Sequence, residues 1–250
     1  MRILIVHHGS QNPTQPVTGG ALRALHIGTG LQQAGFDVHF LTRAQDQIGG
    51  YVDAADLLQR AQQLAPDRIV CIQLEEAITL REIDVPMIVD LFAMRLLEAP
   101  FSGSLSHAAM HCLEAISSGD AFLISNHRQK WTWMGVLALA GIDTRTDPTI
   151  LVPLMTIPCA HKRKIPKELT LIGGGVWWPW QNPWPALKRS LAHLDTRGTG
   201  KIRWFGGNTQ KAPFSHPRLE VADLTTHEQF RQHLSQATAA FDWLSPNPER

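Results

Sequence analysis

The sequence predicts an α/β protein: a doubly wound, Rossmann-like parallel-sheet domain, followed by the start of a second α/β domain. Three observations predict it. Short apolar runs rich in β-branched residues alternate along the chain with stretches whose apolar residues recur at helical spacing. The leading runs lack strict polar alternation, as strands covered on both faces do. After a stretch at residues 146–167 that holds four prolines and the cluster "HKRKIPK", the same alternation begins again.

Taken in order, "RILIVHHG" is a buried parallel strand and "SQNPTQPVTGG" a polar loop. "ALRALHIGTGLQQAG" is a helix with Ala21, Ala24, Gly28 and Leu31 on one face and Gly35 as its stop. "FDVHFLT" is a strand, "YVDAADLLQRAQQLAP" a helix ended by Pro66, and "DRIVCIQL" and "VPMIVDLF" are strands. A helix covers about 105–117, "DAFLISN" is a strand, and "RQKWTWMGVLALAG" is a helix stopped by Gly141. Residues 146–167 then read as a linker. Beyond it come the strand "LTLIGG", the helix "NPWPALKRSLAHL" with Asn182 as N-cap, the strand "KIRWFGG", the helix "THEQFRQHLSQA" and a strand in "TAAFDWLS". The expected domains are 1–160 and 168–250, joined at 161–167, the second too short for a complete α/β domain.

Composition limits the function. Hydrophobic residues make up 44% of the 250, enough for a sizeable core, and 23 Lys and Arg face 22 Asp and Glu. Such balance gives no general attraction to nucleic acid or to a membrane, so an acidic ligand must be held by a local site. Cys71, Cys112 and Cys159 form no CxxC pair, which argues against a disulfide framework or zinc ribbon and for a reducing, cytosolic compartment. No signal-peptide core or bilayer-spanning run is present in the sequence, while peripheral membrane contact stays open.

Several positions at expected strand ends are candidates for chemistry. Gly19 and Gly20 stand at a helix entrance, where backbone N–H groups can meet a phosphate or sugar, or where the chain simply turns. The loop before them is too long for a GxGxxG dinucleotide turn, and Gly28-Thr29-Gly30 lies inside the helix, where small residues permit close packing. His7 and His8 close the first strand, as substrate contacts or as structural histidines. Asp90 closes "PMIVD" with Glu98 in the next turn, either as a base with a neighbouring acid or as a helix cap with a solvated glutamate. Asn126, His127, Arg128 and Lys130 follow another strand end, as phosphate ligands or as the polar first turn of a helix that packs Trp133 and Met134 inward. His107 and His111 are four apart, but "HAAMH" lacks the glutamate of HExxH, and they read as exposed helix histidines. Neither GxSxG nor a Walker motif occurs.

Three stretches carry a family resemblance: "VPMIVDLFAMRLLE", "SNHRQKWTWMGVLALAG" and "LIGGGVWWPWQNPWPALKRSL". The second is similar to a "SERQRxFWLGxLAAxG" pattern and the third to a "GGGxWxWxDPxxxLRA" element. With these stretches the chain resembles GT-B glycosyltransferases, in particular family 4 enzymes of bacterial surface-polysaccharide synthesis. The resemblance implies transfer of a sugar from a nucleotide-sugar donor to a glycan or lipid-linked acceptor, without a catalytic metal or other cofactor, in the cytoplasm or at the inner face of the membrane. It implies that Asp90 is catalytic, that Gly19 and Gly20 match the family's N-terminal glycine loop, and that Gly173, Gly174 and Gly175 face the donor phosphates. His7, Asn126 and Arg128 join them as substrate-binding candidates. The chain departs from the pattern where Trp177, Trp178, Trp180 and Gln181 replace an expected arginine and lysine pair, and where Asn182 replaces aspartate. The family's E-x7-E segment would begin near Glu249, so a further C-terminal part or another chain is expected to complete the second domain. The alternative to an enzyme is a non-catalytic nucleotide- or sugar-binding module.

Overall fold

A computed structural model describes residues 1–9, 18–43, 50–93, 95–154, 166–174, 184–206 and 214–241. These residues form two compact units, each with its own parallel sheet. Gly175, the loop tryptophans Trp177, Trp178 and Trp180, and the expected N-cap Asn182 lie outside the described residues.

In the first unit, β1 (Arg2–His8), β2 (Asp37–Arg43), β3 (Arg68–Cys71), β4 (Met87–Asp90), β5 (Ala121–Ile124) and β6 (Thr149–Leu151) make a six-stranded sheet. Its order is β2-β1-β3-β4-β5-β6, and every pairing is parallel. Alternation along the strands divides the core. Leu4, Val6, Ile69, Cys71, Val89 and Phe122 face one side with residues of α2 (Ala54–Leu64), α3 (Leu74–Leu80), α5 (Leu105–Ser117) and α6 (His127–Leu139). Ile3, Ile5, Val70, Ile72 and Leu123 face the other, with Ala24 of α1 (Gly19–Gln33). The sheet is thus covered on both faces, which explains why its strands read as unbroken apolar runs.

The helices start and stop where their side chains dictate. Thr18, Asp53, Ser104 and Asn126 each accept a hydrogen bond from a first-turn N–H of α1, α2, α5 and α6. Gly35 and Gly141 follow α1 and α6 with φ of 87° and 83°, a region that disfavours residues with a Cβ. Gly28 lets α1 lie on the sheet: a Cβ there would sit 2.2 Å from the ring of Phe40.

Three features of this unit differ from the sequence expectation. Helix α3, and α4 (Arg95–Ser102), fill stretches with no expected element. The linker expected from residue 146 is corrected, because Thr149–Leu151 forms edge strand β6. It is held by Phe122 N–H donating to Pro148 O (3.0 Å) and Val152 N–H donating to Ile124 O (2.8 Å).

The second unit holds β7 (Thr170–Gly174), α7 (Trp184–Arg197), β8 (Lys201–Phe205), β9 (Leu219–Ala222), α8 (His227–Ser235) and β10 (Ala239–Ala240). Its sheet runs β10-β7-β8-β9, all parallel. Leu187, Leu191 and Leu194 of α7 pack with Ile202 on one face, and Phe230 and Leu234 of α8 pack with Ile172 and Phe205 on the other. Strand β9 is an addition to the sequence reading. Thr226 and Gln229 cap α8 reciprocally, so this short helix starts at a fixed residue.

Candidate functional site

Open parallel sheets bind ligands outside the carboxyl ends of their strands, where the strand order reverses. In the first unit that point lies between β1 and β3, because β2 flanks β1 on one side and β3 on the other. Polar residues gather at both ends: β1 closes in His7-His8, and β3, past buried Cys71 and Ile72, turns through Gln73 into Glu75 and Glu76 of α3. Sequence reasoning placed candidates at the first of these ends and none at the second.

Adjacent strand residues point to opposite faces, so the two histidines part company. His7 is fully buried on the α1 side, with its ring edge-on to Phe40 at 6.4 Å and its Nδ1 3.0 Å from His8 O. Burial holds its pKa below the usual histidine range. His8 is about a quarter exposed and its Nε2 meets Glu76 Oε1. Glu76 is buried, and the Tyr51 hydroxyl donates to the same oxygen at 2.5 Å. Burial, and then the nearby Glu76 charge, raise the Tyr51 pKa and keep the phenol neutral. The ligand atoms of His8, Glu75 and Glu76 lie within 4.8 Å of one another, so among the described residues this trio can hold a metal ion.

The glycines of α1 border the same point. Gly19 is open, since a Cβ there would meet nothing within 4 Å. Gly20 faces the Gln73 amide, whose Nε2 would stand 2.8 Å from an added Cβ. Gln73 Oε1 in turn accepts from Arg95 of α4 at 2.9 Å. The structure therefore brings together a helix N-terminus, an amide and a guanidinium, which suits an anion or a polyhydroxyl group.

Asp90 is 2% exposed and forms an ion pair with Arg23, itself 3% exposed. Arg23 Nη2 donates to Oδ1 at 3.1 Å, and Nε meets Oδ2. Phe92 N–H donates to Oδ1 at 3.1 Å. Arg23 Nη1 also donates to Val152 O at 2.9 Å. Burial outweighs these contacts and pushes the Asp90 pKa up to about 6. Glu98 does not join Asp90. It lines a cavity of about 280 Å³ with Leu74, Arg95, His107 and His111, on the face away from α1, where burial raises its pKa. His107 and His111 are exposed, with ring centroids 4.3 Å apart.

Asn126 is the N-cap of α6, its side chain accepting from Gln129 N–H at 2.9 Å. Arg128 is exposed in the first turn, and Lys130 pairs with Asp147. Trp133 is fully buried and its indole N–H donates to Leu91 O at 2.9 Å, so this helix packs inward as its apolar residues suggest.

In the second unit the order reverses between β7 and β10. Gly173 and Gly174 end β7 there. Packing accounts for both glycines: a Cβ on Gly173 would stand 2.6 Å from Trp204, and one on Gly174 2.8 Å from Phe230. Trp184 opens α7, lies edge-on to Phe214 at 5.9 Å and packs, partly buried, against the core of this unit.

No family model matches the sequence, and neither does any curated protein. Solved structures do match. S. aureus MnaA with UDP superposes with a TM-score of 0.64 at 11% identity, over 96% of this chain and 73% of that one. UDP-GlcNAc 2-epimerase from Methanocaldococcus jannaschii gives 0.61 at 9%, over 96% and 78%. Anabaena HepE with UDP-glucose gives 0.57 at 11%, over 99% and 75%. The chain has a GT-B-like fold. At these identities the likeness concerns backbone architecture, and it extends across both units. Among the described residues, no helix is long and apolar enough to cross a membrane.

Proposed function

We propose that the chain is a nucleotide-sugar-dependent glycosyltransferase that takes a UDP-sugar, in the synthesis of a surface polysaccharide. The observation that carries this reading is the fold, matched over nearly the whole chain by proteins solved with UDP or UDP-glucose. The acceptor is assigned to the first unit, at Gly19, Gly20, Gln73 and Arg95; His7, buried in the core, is left out of it, and Asn126 serves as the N-cap of α6. The donor diphosphate is assigned to the second unit, at Gly173 and Gly174 at the end of β7, with Gly175 next in sequence. An acceptor hydroxyl attacks the anomeric carbon, the bond from that carbon to the diphosphate oxygen breaks, UDP leaves with the bonding electrons, and the hydroxyl proton passes to solvent or to the departing diphosphate. Backbone N–H groups and cations stabilise the developing charge. Asp90 enters as a positioning residue: its carboxylate fixes Arg23, which ties α1 to the ends of β4 and β6.

One observation favours a second reading, UDP-sugar 2-epimerisation: a neighbour in fold is such an epimerase. Incubation with UDP-glucose and UDP-GlcNAc separates the two. A transferase releases UDP and the release depends on an acceptor, whereas a 2-epimerase converts UDP-GlcNAc to its C2 epimer and gives no net release of UDP. A binding module gives a thermal shift with UDP and neither reaction. Stabilisation by NAD(P)H alone overturns all three.

A further inference from the structure

The pairing of His8 with Glu76 leaves one group unaccounted for. Glu76 is 4% exposed and lies on α3, directly beyond the carboxyl end of β3. Its Oε1 receives both His8 and Tyr51, while its Oε2 is buried with no hydrogen-bond partner. A buried carboxylate oxygen with no partner is costly, because it has given up its hydration and received nothing in return. Glu75, the adjacent residue, brings a second carboxylate to the same place. A cavity of about 160 Å³ opens beside them, lined by Tyr51, Asp53, Glu75, Glu76 and Arg43. Three carboxylates line it with one arginine, Arg43, and Arg95 pairs with Glu75 at 3.7 Å, so carboxylates still outnumber arginines and the surroundings favour a cation.

We propose that His8, Glu75 and Glu76 form a binding site for a divalent cation of borderline softness, Zn²⁺ being the representative, at the strand-order reversal of the first sheet. One imidazole and two carboxylates are a donor set that suits such an ion, and three protein ligands leave a position for water or a ligand oxygen. The ion replaces the direct His8–Glu76 contact, drawing His8 Nε2 and the two carboxylates around itself, and supplies the partner that Glu76 Oε2 lacks. Tyr51 stays on Oε1 and orients the carboxylate from outside, the role that outer partners of ligating carboxylates play. Ligation through Nε2 exchanges the His8–Glu76 hydrogen bond for a shared metal ion, and the other ring nitrogen of His8 has no partner among the described residues. The sequence concealed the site because His8 and Glu76 are 68 residues apart and no spaced motif links them.

The site goes beyond the transferase reading and is tested without any sugar. Calorimetry and equilibrium dialysis of the full chain with Zn²⁺ at pH 7.5 are expected to give one site of roughly micromolar affinity and a raised Tm. His8→Ala and Glu76→Gln each weaken binding by at least about 10-fold, and Tyr51→Phe by about 10-fold, the size of outer-partner effects. Glu75→Gln is exposed enough to keep the fold and serves where Glu76→Gln does not. Co²⁺ bound to the unaltered protein is expected to show the visible absorption of a four- or five-coordinate site, and His8→Ala removes it. Absence of binding at 100 µM Zn²⁺ overturns the proposal. So does binding that survives His8→Ala but is lost in the His107→Ala, His111→Ala double variant, which places the ion on α5.

Discussion

Arg23 and Asp90 hold each other where water does not reach, and that decides how either can be changed. Removing one partner of a buried pair strands the other charge and costs about 3–5 kcal/mol, while replacing both with apolar residues is often neutral. Arg23→Met is therefore expected to lower unfolding free energy by about 3–5 kcal/mol in urea titration, and Arg23→Met with Asp90→Leu to recover most of it. The pair also fixes a pH dependence. The Asp90 pKa is raised in the folded protein, to about 6 from an ordinary 3.8. The folded state thus binds a proton more tightly than the unfolded one. Stability gained by protonation is complete below about pH 4 and lost as pH rises through about 6, the reverse of the usual carboxylate slope. Unfolding free energies measured between pH 4 and 6 should fall more steeply in the unaltered protein than in the double variant. An equal slope would remove Asp90 as the source. None of this was legible in "PMIVD", which showed that Asp90 would close a strand but not that a cation 67 residues away would meet it.

Among elements, the long ones were legible and the short ones were not. Helices α1, α2, α5 and α6 have 11 to 15 residues, enough turns for a repeating apolar face to declare itself. Helix α3 has seven residues and β6 three, too few for any period, and β6 sits in a proline-rich stretch that resembles a linker. The two glycines of α1 show how context separates identical residues. Gly28→Ala drives a methyl into Phe40 and is expected to cost about 1–3 kcal/mol as overpacking does. Gly30→Ala meets open space and should stabilise the protein by about 0.4–1 kcal/mol by restricting the unfolded chain. Thermal unfolding of the two variants should move Tm in opposite directions. The sequence already suggested that these glycines pack a helix on the sheet, and the distances assign that duty to Gly28 alone.

For the whole molecule, the fold class followed from the alternation of strand and helix and from its restart after residue 167. The site followed only partly. Strand ends can be located in a sequence, but the neighbours that face them across the sheet are set by strand order. The order β2-β1-β3 is what brings His8 to Glu76 and Gly20 to Gln73. If UDP binds the folded state alone, a hundredfold excess over its Kd should add about 2.7 kcal/mol to unfolding free energy. A shift of that kind with UDP but not with AMP would support the donor assignment, and equal shifts would count against it.

Arg23 reaches Val152 across 129 residues of sequence, and this has a bearing on how the protein is made. Its partner Asp90 leaves the ribosome well before Val152 does. During that interval the guanidinium has its carboxylate but lacks its last carbonyl acceptor, and β5 has no outer neighbour. The first unit is thus sealed by its latest-synthesised segment: a nascent chain stalled ahead of residue 149 carries an unfinished sheet edge, and translation beyond it completes the fold.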